Sequence, residues 1–239
     1  MDRFTRNQLM ENQFPDLSFL KPLRPNTPGT PQKCYRDVDR MILGAFQCWG
    51  TANDLIGHDD IEGCGAGGGM QALYFAWRNA VEWKNGELWI HLLFSRRVGV
   101  GTDGPVGPGS PPAAEILSEL PYAGRVSVLA YRPLKLRMRL PDGVDVGGVR
   151  VSLKGTQSAA AVEAGYIRLP DLAPGEKAIV TFPLPLYSSD EQAAGKTYRV
   201  AWKGSTVLSL EPRGEKMPLY ANRAGFRTDQ PPLCLPRYP

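Results

Sequence analysis

The chemically richest stretch of the sequence is a glycine-rich segment, GHDDIEGCGAGGG, over residues 57–69. It places His58, Asp59, Asp60 and Glu62 shortly before Cys64. A cysteine at the start of a helix experiences the positive end of the helix dipole, which favours the reactive thiolate. Cys64 is therefore a candidate nucleophile or metal ligand. The alternative interpretation is a glycine-rich connection with an ordinary thiol, because short motifs often match by chance.

The same glycines suggest two further sites, and we expect neither. Gly63, Gly65 and Gly68 match GxGxxG, but the preceding residues HDDIE are no strand and no βαβ unit surrounds them, so a dinucleotide site is not predicted. The turn could hold an anion with its backbone amides, but the Lys and Ser of a P-loop are missing. No nucleotide cofactor is expected.

Histidines and paired carboxylates are the other common catalytic groups. His58 and His91 are the two histidines of the chain, so a Ser-His-Asp or Cys-His arrangement has two candidate bases. His91 falls within a predicted strand, where we interpret it as a packed residue. Asp59, Asp60 and Glu62 are too close in sequence to face each other across a sugar, so we interpret them as a solvated acidic turn.

Composition narrows the class of protein. The chain has 239 residues, 42% hydrophobic and 22% charged, which is typical of a globular protein. The net charge of +4 comes from basic residues scattered among 24 acids, so nucleic-acid binding is not expected. Neither a membrane span of about 20 apolar residues nor a signal peptide is visible. We expect a cytoplasmic protein without a membrane partner.

Cysteine spacing gives no sign of a metal finger or a disulfide framework. The chain contains Cys34, Cys48, Cys64 and Cys234, with no CxxC pair. Such sparse spacing is typical of reduced thiols.

Hydrophobic periodicity predicts helices in the first part of the chain. Over residues 37–48, Val38, Met41, Ile42, Ala45 and Phe46 form one apolar stripe, which indicates a helix. A second stripe predicts a helix over residues 70–83. Its members are Met70, Leu73, Tyr74, Trp77, Ala80 and Val81.

From residue 87 the period changes to two, which is typical of strands. Leu134, Leu136, Met138 and Leu140 alternate with basic residues, which predicts one buried and one solvated face. Trp89, Tyr198 and Trp202 at strand positions could stack on sugar rings, but we interpret them as core. Further strands are predicted over residues 87–94, 125–131, 149–153, 165–169, 178–184, 198–202 and 206–210.

One long string carries a family resemblance. GCGAGGGMQALYFAWRNAVEWKNGELWIHLLFSRR resembles the segment with which glycoside hydrolase family 127, the β-L-arabinofuranosidases, passes from its helical barrel into its β-sandwich. Segments in family order lie on both sides, among them GAFQCWGTANDLIGH upstream and LKLRMRLPDGV and GKTYRVAWKGSTVLSLEPRG downstream. The resemblance covers nearly the whole chain.

The resemblance implies an (α/α) barrel that holds the active site, with β-sandwich domains beside it. It further implies a retaining mechanism in which a cysteine attacks the sugar, a zinc ion held by a glutamate and three cysteines, and a separate glutamate as acid/base. The first cysteine of the family's adjacent pair falls on Cys64, which is thereby the nucleophile position and, if zinc is retained, a metal ligand.

The sequence also departs from the family. Gly65 stands at the position of the second cysteine and Gly68 at that of an asparagine. The zinc-binding Glu-x-Cys and the acid/base glutamate lie upstream in relatives, before the point that matches Met1. One thiolate binds zinc poorly compared with four ligands, so no cofactor is expected for this chain. Cys48, 16 residues before Cys64, could approach it in space as a further ligand, but we interpret it as an ordinary buried thiol.

These observations predict an α+β fold: a short helical segment over residues 1–84, a remnant of the (α/α) barrel, then an antiparallel β-sandwich over residues 85–239 with an irregular C-terminal tail. The expected function is that of a β-L-arabinofuranosidase-like glycoside hydrolase, truncated, lacking most catalytic residues and inactive alone. The alternative is a non-catalytic β-sandwich that binds carbohydrate or supports an assembly. The helical stripes through Met41 and Leu73 are expected to pack on the sandwich or another chain, or to remain exposed.

Overall fold

The chain folds around two β-sheets packed face to face. The computed structural model describes residues 1–16, 43–47, 50–57, 63–99 and 112–231. An N-terminal helical segment comprises an α-turn, Asp2–Phe4, and a π-helical turn, Thr5–Leu9. Helix α1 spans Gly63–Arg78. The strands of the described residues are β1 (Val81–Lys84), β2 (Glu87–Ile90), β3 (Arg96–Gly99), β4 (Pro112–Ser118), β5 (Arg125–Ala130), β6 (Leu136–Arg139), β7 (Arg150–Leu153), β8 (Thr156–Ala159), β9 (Val162–Glu163), β10 (Tyr166–Arg168), β11 (Lys177–Thr181), β12 (Leu186–Ala193), β13 (Lys196–Lys203) and β14 (Thr206–Glu211).

The sandwich consists of a five-stranded sheet, ordered β1-β2-β6-β10-β9, and a six-stranded sheet, ordered β3-β4-β5-β11-β7-β8. One buried cluster contains residues of both sheets, such as Leu88 and Met138 from the first and Ile116 and Val180 from the second. Burying each large aliphatic side chain contributes about 1.5–3 kcal/mol. The predicted α+β class with a β-sandwich is confirmed. Most pairs are antiparallel, but β2 pairs with β6 in parallel.

A third sheet, β12-β13-β14, brings the two ends of the chain together. Phe14 and Leu55 from the N-terminal part share a buried cluster with Val200 and Val207 of this sheet and with Leu219. Because apolar side chains from both ends exclude water together, this cluster ties the N-terminal residues to the sheet. The predicted boundary at residue 84 lies within the β1–β2 hairpin and stays a prediction.

Helix α1 differs from the predicted helix over residues 70–83. It begins at Gly63 and ends at Arg78, and residues 81–84 form β1 instead. The predicted apolar stripe continues beyond the end of the helix. Ala80 and Val81 are buried where the chain enters the β1–β2 hairpin. The helix stripe is partly exposed, because Met70 is 59% exposed and Tyr74 50%.

The helix predicted over residues 37–48 is wrong where the structure describes it. Residues 43–47 form a turn and an isolated antiparallel bridge between Phe46 and Gln13. Gly44 adopts a φ of 78°, which a helix interior does not accommodate. Residues 37–42 and Cys48 lie outside the described residues, and so does Met41.

Strand prediction succeeded where one face is buried. Leu136 and Met138 are buried, while Arg137 and Arg139 lie on the outer face, as the alternation predicts. The strands β3, β4 and β8 were not predicted, since none of their sequences alternates regularly between large apolar and polar residues. β12 was missed too, because exposed side chains dominate it and leave no periodic signal.

Candidate functional site

Cys64 is the second residue of helix α1, and its side chain is exposed. At this position the thiol lies in the first turn of the helix. The backbone N–H groups of that turn have no hydrogen-bond acceptor within the helix. This is the position at the start of a helix that the sequence predicts for Cys64. The assignment of Cys64 as the nucleophile stays a prediction.

The other residues of the motif lie outside the described part of the chain. This holds for His58, Asp59, Asp60 and Glu62, and for Cys48. The interpretation of the carboxylates as a solvated turn therefore stays a prediction.

His91 lies just beyond the end of β2 rather than in the middle of a strand. Its Nδ1 is 2.7 Å from the hydroxyl oxygen of Tyr166, and its Nε2 is 3.2 Å from a carboxylate oxygen of Glu82. His91 is thus a half-buried link between a carboxylate and a phenol on the outer face of the five-stranded sheet. Burial raises the pKa of Tyr166, the Arg139 guanidinium opposes that shift and Glu82 adds to it.

Trp89 lies beside this link, and cationic groups surround it. Arg137 and Lys84 place their charged groups 5.1 Å and 5.7 Å from the centre of the indole. Tyr166 meets the indole edge-on at 5.0 Å. Hydrogen bonds to Glu87 and then Glu163 raise the pKa of Arg137. The outer face therefore combines aromatic rings with groups that can donate or accept hydrogen bonds.

Two further aromatics from the sequence prediction occupy the third sheet. Tyr198 is buried, which confirms its interpretation as core. Trp202 is half-buried instead: it stacks on Tyr187 at 6.0 Å, and Arg3 lies 5.1 Å from the centre of its indole.

A cavity of about 460 Å³ lies between the N-terminal helical segment, α1 and β14. Sequence reasoning did not find it, because its walls come from distant parts of the chain. At 1.5 Å per residue, Leu73 lies roughly 14 Å along the helix axis from Cys64, and the thiol does not line the cavity. Its described lining residues are Thr5, Arg6, Met10, Glu11, Leu73, Trp77, Phe94, Pro121, Thr206, Arg223 and Phe226.

Arg223 anchors one wall of this cavity. Its Nε donates to Glu11 at 2.6 Å, and its Nη1 donates to the side chain of Asn7 and the carbonyl of Val207, both at 2.9 Å. Its Nη2 donates to the carbonyl of Arg6 at 2.9 Å. The buried cation is therefore held by a carboxylate and three further acceptors, which is how proteins accommodate buried charge. The surrounding sequence, ANRAGF, gives no signal of this role.

Within the described ranges, no three or more His, Cys, Asp or Glu side chains come together as a metal site requires. Gly65 supplies no ligand beside Cys64. The described residues therefore do not fit the four-ligand zinc site that the family resemblance implies.

None of the helices in the described part of the chain combines the length and apolar character needed to cross a membrane.

Comparison with solved structures finds a similar fold in glycoside hydrolases. A glycoside hydrolase matches 85% of this chain with 12% identity and a TM-score of 0.50, and the match covers 32% of that protein. A GH127 β-L-arabinofuranosidase from Geobacillus stearothermophilus T6 matches 75% of the chain and 27% of its own length, with 15% identity and a TM-score of 0.46. A GH127 β-arabinofuranosidase matches 54% of the chain and 23% of its own length, with 15% identity and a TM-score of 0.42.

The chain thus spans between about a quarter and a third of the length of these proteins. No family model and no curated protein matches it. The resemblance expected from the sequence is confirmed at the level of the fold, which is glycoside-hydrolase-like. A barrel fragment in the helical region stays a prediction.

Proposed function

We propose that this chain is part of a β-L-arabinofuranosidase-like glycoside hydrolase in which Cys64 attacks the sugar. The observation that carries the proposal is the exposed thiol in the first turn of α1, on a chain with a glycoside-hydrolase-like fold. The fold supports the class of protein, and the sequence resemblance supports the residue and the substrate class, an arabinofuranoside.

The proposed chemistry begins with the Cys64 thiolate. Its sulfur attacks the anomeric carbon, a C–S bond forms, the glycosidic C–O bond breaks and the leaving oxygen takes a proton from a general acid. A water molecule, which gives a proton back to the conjugate base of that acid, then displaces the sulfur, releases the free sugar and restores the thiolate. Because Gly65 replaces one family ligand, we propose that the 239-residue chain does not complete this cycle alone and that other residues complete the site. A cytoplasmic location stays a prediction.

The test separates reactivity at Cys64 from turnover. The purified chain is treated with a bromoacetamide derivative of L-arabinofuranosylamine, and alkylation is located by peptide mass spectrometry. We expect Cys64 to be alkylated faster by this reagent than by iodoacetamide, and free L-arabinose to slow the reaction. Equal rates for both reagents and no effect of arabinose would overturn the proposal, since Cys64 would then be an ordinary surface thiol.

Hydrolysis of aryl α- and β-L-arabinofuranosides is measured in parallel, with the chain and a Cys64→Ala variant. We expect no turnover from either protein. Turnover by the chain that the variant lacks would establish Cys64 as catalytic and would contradict the proposed need for other residues.

A non-catalytic role in carbohydrate binding is the second candidate. The outer face of the five-stranded sheet favours it, because Trp89 and Tyr166 lie there beside Glu82 and His91. Affinity electrophoresis in arabinan tests this role: retardation of the chain that Tyr166→Ala abolishes would support it. Tyr131→Ala serves as the control, since Tyr131 is 41% exposed and hydrogen-bonds to Glu115 on the other sheet.

A further inference from the structure

We propose that the cavity beside helix α1 is a binding site for an uncharged, predominantly apolar small molecule. This site goes beyond the proposed function, because it lies away from Cys64 and from the outer face of the five-stranded sheet. Its volume of about 460 Å³ falls in the range of ligand pockets, about 300–1,000 Å³.

The apolar walls come from four separate parts of the chain. Met10 belongs to the N-terminal part, Leu73 and Trp77 to α1, Phe94 to the segment after β2, and Phe226 to the C-terminal part. Three of these residues are large apolar aromatics, and each removes substantial apolar ligand surface from water. A ligand in contact with such walls gains affinity in proportion to its apolar area.

The rings are held in place by other side chains. The Arg96 guanidinium lies 4.6 Å from the centre of the Trp77 ring. Arg6 lies 5.8 Å from that of Phe94. The ring of Tyr122 meets Phe226 edge-on at 5.4 Å. The walls are therefore largely preformed, which reduces the ordering cost of binding.

The charged residues in the wall are neutralised within the protein. Arg223 pairs with Glu11 at 2.6 Å, and Arg6 pairs with Asp2 at 2.8 Å. Arg6 also donates to the carbonyl of Leu93 at 3.2 Å. A charged ligand would have to break one of these pairs to find a counterion, whereas an uncharged ligand leaves both intact. The paired wall thus favours a neutral molecule.

The same pairing disfavours a sugar as the occupant. Each sugar hydroxyl buried without a hydrogen bond costs about 1–3 kcal/mol. Glu11 already accepts from Arg223 and from the backbone N–H of Tyr220, one donor on each carboxylate oxygen. The cavity is therefore chemically distinct from the arabinoside site proposed at Cys64.

N-phenyl-1-naphthylamine, a neutral apolar dye whose emission rises in apolar surroundings, is the probe for this site. It is titrated into the full chain and into two variants of the N-terminal part. Met10→Trp places an indole at the cavity wall, while Phe4→Trp makes the same kind of change outside the lining. The two positions are matched, because both side chains are 50% exposed and neither substitution disturbs a buried core.

We expect saturable binding of one dye per chain, weakened by about tenfold or more in Met10→Trp and unchanged in Phe4→Trp. Non-saturating binding, or equal affinities in the two variants, overturns the proposal. Displacement of the dye by L-arabinose would also overturn it, because the cavity would then be a sugar site. If dye binding is lost as the chain self-associates, the cavity is a contact surface for a second copy of the chain. That outcome would overturn the proposal as well.

These outcomes are distinguishable from failure of the proposed function. Cys64→Ala leaves the dye titration unchanged if the two sites are separate. The alkylation rate of Cys64 in turn does not depend on Met10.

Discussion

The ring of Phe46 occupies the space into which a side chain on Gly69 would project. Phe46 is 1% exposed and pairs with Gln13 in an isolated antiparallel bridge. The absence of a side chain at Gly69 therefore lets the middle of α1 approach the N-terminal part of the chain.

Gly69→Ala should destabilise the chain by about 1–3 kcal/mol, because the added methyl group forces the buried ring to move. Gly68→Ala is the matched control. A Cβ at Gly68 meets nothing within 4 Å, so this substitution should gain about 0.5–1 kcal/mol from the better helix propensity of alanine. Urea unfolding of both variants measures the difference. Equal stability of the two would contradict the close approach.

Arg223→Met should cost about 3–5 kcal/mol, since it leaves the Glu11 carboxylate without its buried cation. Asn7 loses a donor as well. Arg227→Met is the control, because Arg227 is exposed, and it should change stability by less than about 0.5 kcal/mol. Thermal unfolding compares the two variants. A small effect of Arg223→Met would mean that the network contributes little.

Asp54→Ala should destabilise the chain by at least about 2 kcal/mol, because three backbone N–H groups lose their acceptor. The Asp54 carboxylate accepts from the backbone N–H of Ile56 at 3.2 Å, of Lys216 at 2.7 Å and of Met217 at 2.8 Å. It thereby holds residues 50–57 against the chain after β14. Asp142→Ala, at a side chain 57% exposed, is the control in the same unfolding assay.

Burial raises the pKa of Tyr220 to about 12 from an ordinary 10.0, Arg223 opposes this shift and Glu11 adds to it. The neutral phenol is thus favoured in the folded state. The contribution of the Tyr220 phenol to the free energy of unfolding is fully present below pH 10.0 and is lost as the pH rises through about 12. The total loss is about 2–3 kcal/mol.

Tyr220→Phe should therefore flatten the alkaline part of the stability profile, measured by urea unfolding at a series of pH values. Tyr187→Phe is the control, because the Tyr187 side chain is 38% exposed, and it should leave the profile unchanged. An unaltered alkaline slope in Tyr220→Phe would show that other groups cause it.

Local patterns were sufficient to predict several strands of the sandwich. The alternation of Leu136 and Met138 with Arg137 identified β6, because a strand with one buried face has a period of two whatever packs on it. Prediction failed for the boundaries of α1. The run GCGAGGG has low helix propensity, yet the structure begins the helix at Gly63, where contact with Phe46 requires a small residue at Gly69.

The sequence by itself determined which family the chain resembles. The order of its family-like segments, the position of Cys64 after a run of acidic residues and the change of period near residue 87 follow from neighbouring residues alone. Tertiary structure decided which distant residues meet. Arg223 reaches Asn7 and Glu11, and Phe94, Trp77 and Phe226 line one cavity, because the third sheet joins both ends of the chain. Such contacts depend on how the elements pack, a property that no local pattern encodes.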